Sequence, residues 1–334
     1  MEEFPKRGKR SSVSGSSRAK RTATALEPAC SAILEQAADS PELKTLRNAL
    51  GSGAALHLVG GTLREALEGR SCTDLDLASR LTPQQTLDLL KRRGIKVVET
   101  GLQHGTVLAV INGQHIEITA FRLRGAESGG GFSQSIEEDL AGRDFTINSA
   151  AFSLETRELI DPFDAAGDLK RKILRAVGDA RARFAEDPLR ILRMVRFGPA
   201  QGRQVHGATL QAALTQVPSL KKVSAERIRL ELSRILESIY AAEALRFMAS
   251  HDLLSYTLPD LIECLGFEQN DFHTQDVFEH TLTVLERCPP KGLLRWVALF
   301  HDVGKPRSLS VSPEGRRHFY EHEVISEKLC KAAL

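Results

Sequence analysis

Aromatic side chains are scarce in this sequence. Phe, Trp and Tyr make up 5% of its 334 residues, which argues against a wide stacking platform for single-stranded nucleic acid. An excess of one charge is also lacking. The 45 Lys and Arg nearly balance 43 Asp and Glu, for a net charge of +2, so attraction to a polyanion must come from local patches. No apolar run approaches the ~20 residues that span a bilayer, and the N-terminus has no apolar stretch of the secretory kind. The five cysteines, Cys30, Cys72, Cys264, Cys288 and Cys330, are scattered without a CxxC pair. Neither a zinc ribbon nor a disulfide scaffold is signalled. Free thiols and a cytoplasmic location are the expectation.

What is present is an ordinary apolar content of 42%, enough for a sizeable core, and a length that suggests two or three domains. Residues 1–28 read as a basic tail rich in Ser, Lys and Arg, expected to be disordered. It serves either as a phosphate-attracting arm or as a solvated tail. Glu2 and Glu3 argue against a mitochondrial presequence. Residues 29–50 read as one helix. An apolar strand over Ala55–Val59 runs into the turn pair Gly60-Gly61, and Thr62 is placed to cap a short helix over Leu63–Glu68 that Gly69 ends. A strand over Leu75–Ala78, a helix over 82–92 and strands over Lys96–Thr100, Thr106–Ile111 and Gln114–Phe121 follow. Asn112-Gly113 is a two-residue hairpin signal, so the sheet is not purely parallel. From about residue 179 the chain reads as almost all helical. The fold class is therefore α+β: a mixed-sheet head and a helical body.

Asp74 and Asp76 lie two apart on the strand that follows the glycine turn. Period two puts both carboxylates on one face. Adjacent carboxylates repel unless a cation neutralises them, and Mg²⁺ prefers oxygen ligands shared with phosphates. Two such ions would activate an attacking hydroxyl and steady the leaving oxygens of an in-line displacement. Bare backbone at Gly60 and Gly61 suits a triphosphate, with Arg64 or Arg70 as a clamp. On the returning hairpin strand Glu117 shares a face with His115 and Thr119, either as a third acid or as a solvent-facing residue. An Asp-x-Asp pair alone is common. The strand, glycine turn and helix just upstream make it more specific.

With these residues in hand, the chain resembles class II tRNA nucleotidyltransferases and bacterial poly(A) polymerases. The resemblance rests on LVGGTLREALEGRSCTDLDL, GLQHGTV, EEDLAGRDFTINSAAF, LIDPFDAAGDLKRKILRAVGDARARFAEDPLRILRMVRF and VSAERIRLELSRIL, in that order. It implies a polymerase-β-like head (29–178), a helical neck and body (179–268) that selects nucleotides and binds RNA, and addition of CMP and AMP from CTP and ATP to a tRNA 3′ end with Mg²⁺. By the same resemblance Asp74 and Asp76 are the catalytic metal-binding acids, with Glu117 as the third. Arg143 and Asp144 contact the ribose and triphosphate; Gly60, Gly61 and Arg64, and Arg193 and Arg196 of a basic stripe that could also hold RNA phosphates, are the further nucleotide-binding candidates. Asp187 with Arg190 reads the incoming base. An acceptor beside a planar donor fork suits that role. From the residues alone, Asp187-Pro188 is also a helix cap and Arg190 a partner for Glu186 four residues back. Lys221, Lys222, Arg227 and Arg229 are candidates for RNA phosphate contacts.

Three features depart from the family pattern. Gly142 replaces the first Arg of an Arg-Arg-Asp motif, Glu65 stands where Asp is usual, and residues 123–140 form a short glycine-rich segment similar to that of enzymes adding only CC. A CC-only product, a poly(A) product or a non-catalytic RNA-binding descendant are the alternatives, and the oligomeric state stays open. Over 269–334, His280, His301-Asp302 and His322 resemble a partial HD phosphohydrolase domain lacking a late Asp ligand. His and Asp suit a transition metal or Mg²⁺. That segment reads either as a metal hydrolase or as a helical remnant.

Overall fold

The computed structural model of the protein describes residues 26–72, 74–98, 102, 105–123, 131–269 and 274–333. The basic stretch 1–25 and the middle of the glycine-rich segment, 124–130, lie outside them.

The expected helix over 29–50 is two helices, α1 (Pro28–Ala38) and α2 (Pro41–Leu50). Pro41 has no N–H to continue the first, and the Ser40 side chain caps the second by accepting from the Leu43 N–H. Strand β1 is only His57–Leu58, shorter than the expected 55–59, because Ala55 turns into the left-handed region at φ 45°. Helix α3 (Gly60–Leu67) starts at the glycine pair itself. Thr62 therefore sits inside the helix and is not its cap. Next come β2 (Leu75–Ser79), α4 (Pro83–Arg92), β3 (Lys96–Val98), β4 (Thr106–Ile111) and β5 (Gln114–Ala120). Thr82 and Gln85 close a capping box on α4. Asn112 and Gly113 both have positive φ, at 52° and 80°, the geometry of the tight hairpin turn read from the sequence.

Helix α5 (Ile136–Gly142), strands β6 (Ala151–Ser153) and β7 (Leu159–Ile160), and helix α6 (Ala165–Lys170) complete the head. Its sheet has the order β3-β4-β5-β2-β1-β6-β7. Every pairing is antiparallel except β2 with β5, which is parallel. That register sets Asp76 opposite Glu117, so both side chains emerge on the same face. The other face is apolar. Leu75, Leu77, Ile116 and Ile118 are buried against Leu34, Leu43, Leu46 and Leu63 from the helices. Each such leucine stabilises the fold by roughly 2 kcal/mol. The sheet's orientation is thereby fixed, with the acids on the opposite side.

Strand β8 (Ile173–Leu174) leads to α7 (Ala180–Glu186), α8 (Arg190–Phe197), β9 (Gln204–Val205), α9 (Gly207–Leu214), α10 (Ala225–Leu236) and α11 (Ala241–Ser250). Beyond these lie α12 (Leu254–Thr257), α13 (Val277–Arg287), α14 (Gly292–Phe300), α15 (Lys305–Ser308), the hairpin strands β10 (Leu309–Val311) and β11 (Arg317–Phe319), and α16 (His322–Ala333). The expected run of helices holds apart from the β8–β9 pair and the β10–β11 hairpin. One hydrophobic core runs from Phe145 through Leu192 and Leu245 to Val303. Among the described residues no helix is long and apolar enough to cross a membrane.

Candidate active site

Helix α3 starts where β1 ends, and its first turn lies on Asp76. The Gly61 N–H donates to Asp76 Oδ2 at 2.9 Å. A Cβ on Gly60 or Gly61 would come 3.1 or 3.0 Å from that oxygen, and Gly60 has φ +60°. Both glycines are needed for this approach. Thr62 fixes the segment from the other side. Its hydroxyl donates to the Asp74 carbonyl at 2.8 Å and accepts the Asp76 N–H at 2.7 Å. Asp74 precedes β2 and is not within it, yet Asp74, Asp76 and Glu117 all line one cavity of about 990 Å³. Burial pushes the Glu117 carboxyl up, the Asp76 charge adds to this, and Arg122 opposes it. Three hard oxygen donors lining one cavity fit a divalent cation.

The same cavity is also lined by cations. Arg64 donates to Asn148 Oδ1 at 2.7 Å. The guanidinium carbons of Arg64, Arg193 and Arg196 lie 5.0, 5.2 and 3.9 Å from the centroid of the Phe197 ring, a shared cation–π platform. Burial lowers the Arg196 pKa and the Glu231 charge opposes it, leaving a value of about 10. Arg196 is therefore a cation at neutral pH, held by Glu231 at 2.6 Å. Polyphosphate is the natural counter-ion for such a lining.

Asp144 does not reach outward for a ligand. It is buried and accepts from Arg193 Nε at 2.8 Å, from Asn148 at 2.9 Å and from the Phe145 N–H at 2.8 Å. Burial raises its pKa, but the Arg193 charge and the hydrogen bonds outweigh it and hold the value at about 2. Its work is to aim Arg193. Arg143 pairs with Asp139 through Nε at 3.1 Å and Nη2 at 2.9 Å.

Asp187 and Arg190 both line the cavity, and the Arg190 N–H donates to the Asp187 carbonyl at 3.0 Å. Arg190 is 3% exposed and donates to Glu186 at 2.9 Å and to the Arg183 carbonyl at 3.1 Å. This is the four-residue pairing read from the sequence as the alternative to base recognition. Asp187 accepts Arg227 Nη2 at 2.7 Å and the Leu189 N–H at 3.1 Å. Arg227, read as an RNA-phosphate candidate, thus lines the same cavity as the acids. The carbonyl of Gly142, where the family's Arg is missing, accepts Arg183 at 3.1 Å.

The sequence reading gives Thr62 only as a helix cap and does not single out Asn148, Phe197, Glu231, Asp139 or Arg122. Their partners lie 12 to 84 residues away for Thr62 and Asn148, so no local pattern exposes them. Only Phe197, at the end of a basic stripe on a helix, carried a readable hint.

A second cluster lies in the C-terminal helices. His280, His301 and Asp302 bring their ligand atoms within 4.8 Å of one another, and His322 Nε2 lies 3.3 Å from Asp302 Oδ1. Lys305 shares Asp302 Oδ2 at 2.7 Å and also donates to Gln269 at 2.7 Å. Burial raises the Asp302 pKa, but His301 and Lys305 outweigh it and hold the carboxyl well below the usual range.

A mixed sheet carrying paired acids beside a glycine-started helix, joined to a helical body that supplies cations, defines the nucleotidyltransferase class of head. Residues 56–175 match the poly A polymerase head domain, and 204–265 match the probable RNA and SrmB-binding site of polymerase A. The chain belongs to the class II family of CCA-adding enzymes and poly(A) polymerases. It is 35% identical over 211 residues to a CCA-adding enzyme of Leuconostoc mesenteroides, covering 61% of this chain and 51% of that one. With the CCA-adding enzyme of Streptococcus mutans it shares 36% over 274 residues, 80% of this chain and 65% of that one. The chain thus spans between half and two thirds of these relatives' lengths. The crystal structure of a Bacillus stearothermophilus CCA-adding enzyme in complex with CTP superposes with a TM-score of 0.62 at 28% identity, over 92% of this chain and 69% of that one.

Proposed function

We propose that this protein is a template-independent RNA nucleotidyltransferase that adds CMP and AMP from CTP and ATP to the 3′ end of tRNA. The observation that carries this reading is the parallel register of β2 with β5. It sets Glu117 beside Asp76 in a cavity that Arg193 and Arg196 also line. The relatives named for CCA addition, and a Thermotoga maritima CCA-adding enzyme complexed with tRNA at 25% identity and a TM-score of 0.59, support it.

Asp74, Asp76 and Glu117 are the residues that would hold Mg²⁺. When bound, such ions lower the pKa of an attacking hydroxyl and stabilise charge on the leaving oxygens. Gly61 keeps the Asp76 carboxylate turned toward the helix start, and Thr62 keeps Asp74 and Asp76 in fixed register. Arg64, Arg193 and Arg196 grip the triphosphate and neutralise the departing pyrophosphate. Asp187 and Arg227 face the base, and Arg190, which lines the same cavity, braces Glu186. The short glycine-rich segment at 123–140 favours a CC product as the variant of this reading.

The test is purified protein with tRNA lacking its CCA end, Mg²⁺ and labelled CTP or ATP. Incorporation is expected, and sequencing of the new 3′ ends separates CCA, CC and poly(A) products. Folded protein that incorporates neither nucleotide defeats the reading. A second reading, for the C-terminal region alone, is a metal phosphohydrolase, favoured by the convergence of His280, His301, Asp302 and His322. It predicts phosphodiesterase activity that disappears on His301→Ala.

A further inference from the structure

Helix α3 and the end of α8 are joined by two sets of contacts, and only one of them lines the cavity. At the front, Arg64 of α3 lies over the Phe197 ring. At the rear, Arg203 is 6% exposed, pairs through Nη2 with Glu68 Oε1, and donates through Nη1 to the Phe197 carbonyl at 3.0 Å. Glu68 closes the C-terminus of α3, and Phe197 is the last residue of α8. Neither Glu68 nor Arg203 is among the cavity-lining residues.

The loop carrying Arg203 has little freedom. Gly198 leaves no room for a side chain, since a Cβ would come 2.8 Å from the Met194 carbonyl and 3.1 Å from Val205. Gly202 has φ +63° with the Tyr240 ring against it, and the Arg203 N–H closes the loop onto the Gly198 carbonyl at 3.0 Å. A planar guanidinium on a fixed loop, making one bond to a carboxylate and one to a carbonyl, sets both a distance and an angle. The two helices so joined divide the reaction. The start of α3 shapes the acids through Gly60 and Gly61, and α8 with its preceding turn carries Asp187, Arg193 and Arg196.

We propose that Glu68 and Arg203 are positioning residues that fix the spacing between the carboxylate bend and the base-facing helix, and thereby set nucleotide choice and transfer rate. This rests on the nucleotidyltransferase reading above. A nucleotide held by α8 and its preceding turn meets the acids that the start of α3 shapes only if the separation of the two helices is constant, and displacements near 1 Å in such settings cost on the order of a hundredfold in rate.

Glu68→Gln keeps the shape and removes the charge. Arg203→Lys keeps the charge but loses the two-directional fork. Each is assayed for kcat/KM with CTP and with UTP on tRNA lacking its CCA end, beside the wild type. The preference for CTP is expected to fall about tenfold in both variants, with kcat reduced more than KM is raised. The preference is a ratio measured on one sample, so it does not depend on the fraction folded, and a purely structural role leaves it unmoved. A fall of less than about threefold in either variant, with active wild type, overturns this inference alone. Wild type that transfers no nucleotide overturns the parent reading and this inference with it.

Discussion

Asp76 has two partners of different kinds, a backbone N–H at the start of α3 and a carboxylate on the next strand. Its replacement by Ala removes a metal ligand while leaving the apolar face of β2 intact. Nucleotide incorporation should fall by about 10³-fold or more, with the circular dichroism spectrum and tRNA binding retained. Glu117 carries a pH signature. Its pKa is raised in the fold, chiefly by burial and then by Asp76. A carboxyl of this kind favours the folded state below its unfolded pKa, and that contribution is lost as the pH rises through the folded value. Without divalent cations, Glu117→Gln should therefore raise the melting temperature at about pH 8 and leave it unchanged at about pH 3. Asp144 has the opposite sign. Its folded pKa of about 2 lies below the ordinary 3.8, so its stabilisation is present above that ordinary value and vanishes as the pH falls toward 2. Asp144→Ala should cost about 3 kcal/mol in urea denaturation at neutral pH, because Arg193 loses its buried partner, and the cost should shrink in acid.

At the scale of the element, α3 with the turn into β2 is the unit that places the acids. Its N-terminal glycines, the Thr62 hydroxyl and the register of β2 act on the same few atoms. Thr62→Val keeps the volume and removes both hydrogen bonds to the Asp74–Asp76 backbone. The expected loss is about 1–2 kcal/mol of stability. The loss of activity should be larger than that stability change explains, and comparing single-turnover rates with melting curves checks it. Helix α8 is the second such unit. Its cations share the Phe197 ring and are aimed by acids from elsewhere, Asp144 from the head and Glu231 from α10.

For the whole molecule, the question is whether the two clusters work separately. The acids of the head and the histidines of the C-terminal helices lie in different elements and share no hydrogen-bonded residue among those described. Mn²⁺ should raise the melting temperature through the C-terminal cluster, and His301→Ala should remove that part of the shift while nucleotide addition is unchanged. Differential scanning fluorimetry beside the incorporation assay decides it. Loss of nucleotide addition in His301→Ala would show that the clusters are coupled.

The sequence by itself determined what depends on short-range geometry. The alternation in β5 puts Glu117 opposite its apolar neighbours, Asn112-Gly113 fixes the hairpin, and the glycine pair marks a bend just before the acids, although the helix starts at that pair and not after Thr62. These follow from the period-two and turn rules, which need only a few adjacent residues. The break at Pro41 was legible in hindsight from the proline, whereas the short β1 was not, because nothing in the sequence marks Ala55 as left-handed. Only the tertiary structure decided which charges pair. Arg227 reaches Asp187 from 40 residues away, and Arg193 reaches Asp144 across 49. Arg190 stays with its helical neighbour Glu186. Several guanidinium groups and carboxylates in this sequence could pair equally well by spacing or charge, and long side chains reach many partners. The packing of α8 against α10 and the head selects among them, leaving Arg193 between Asp144 and Glu231 and Arg196 on Glu231.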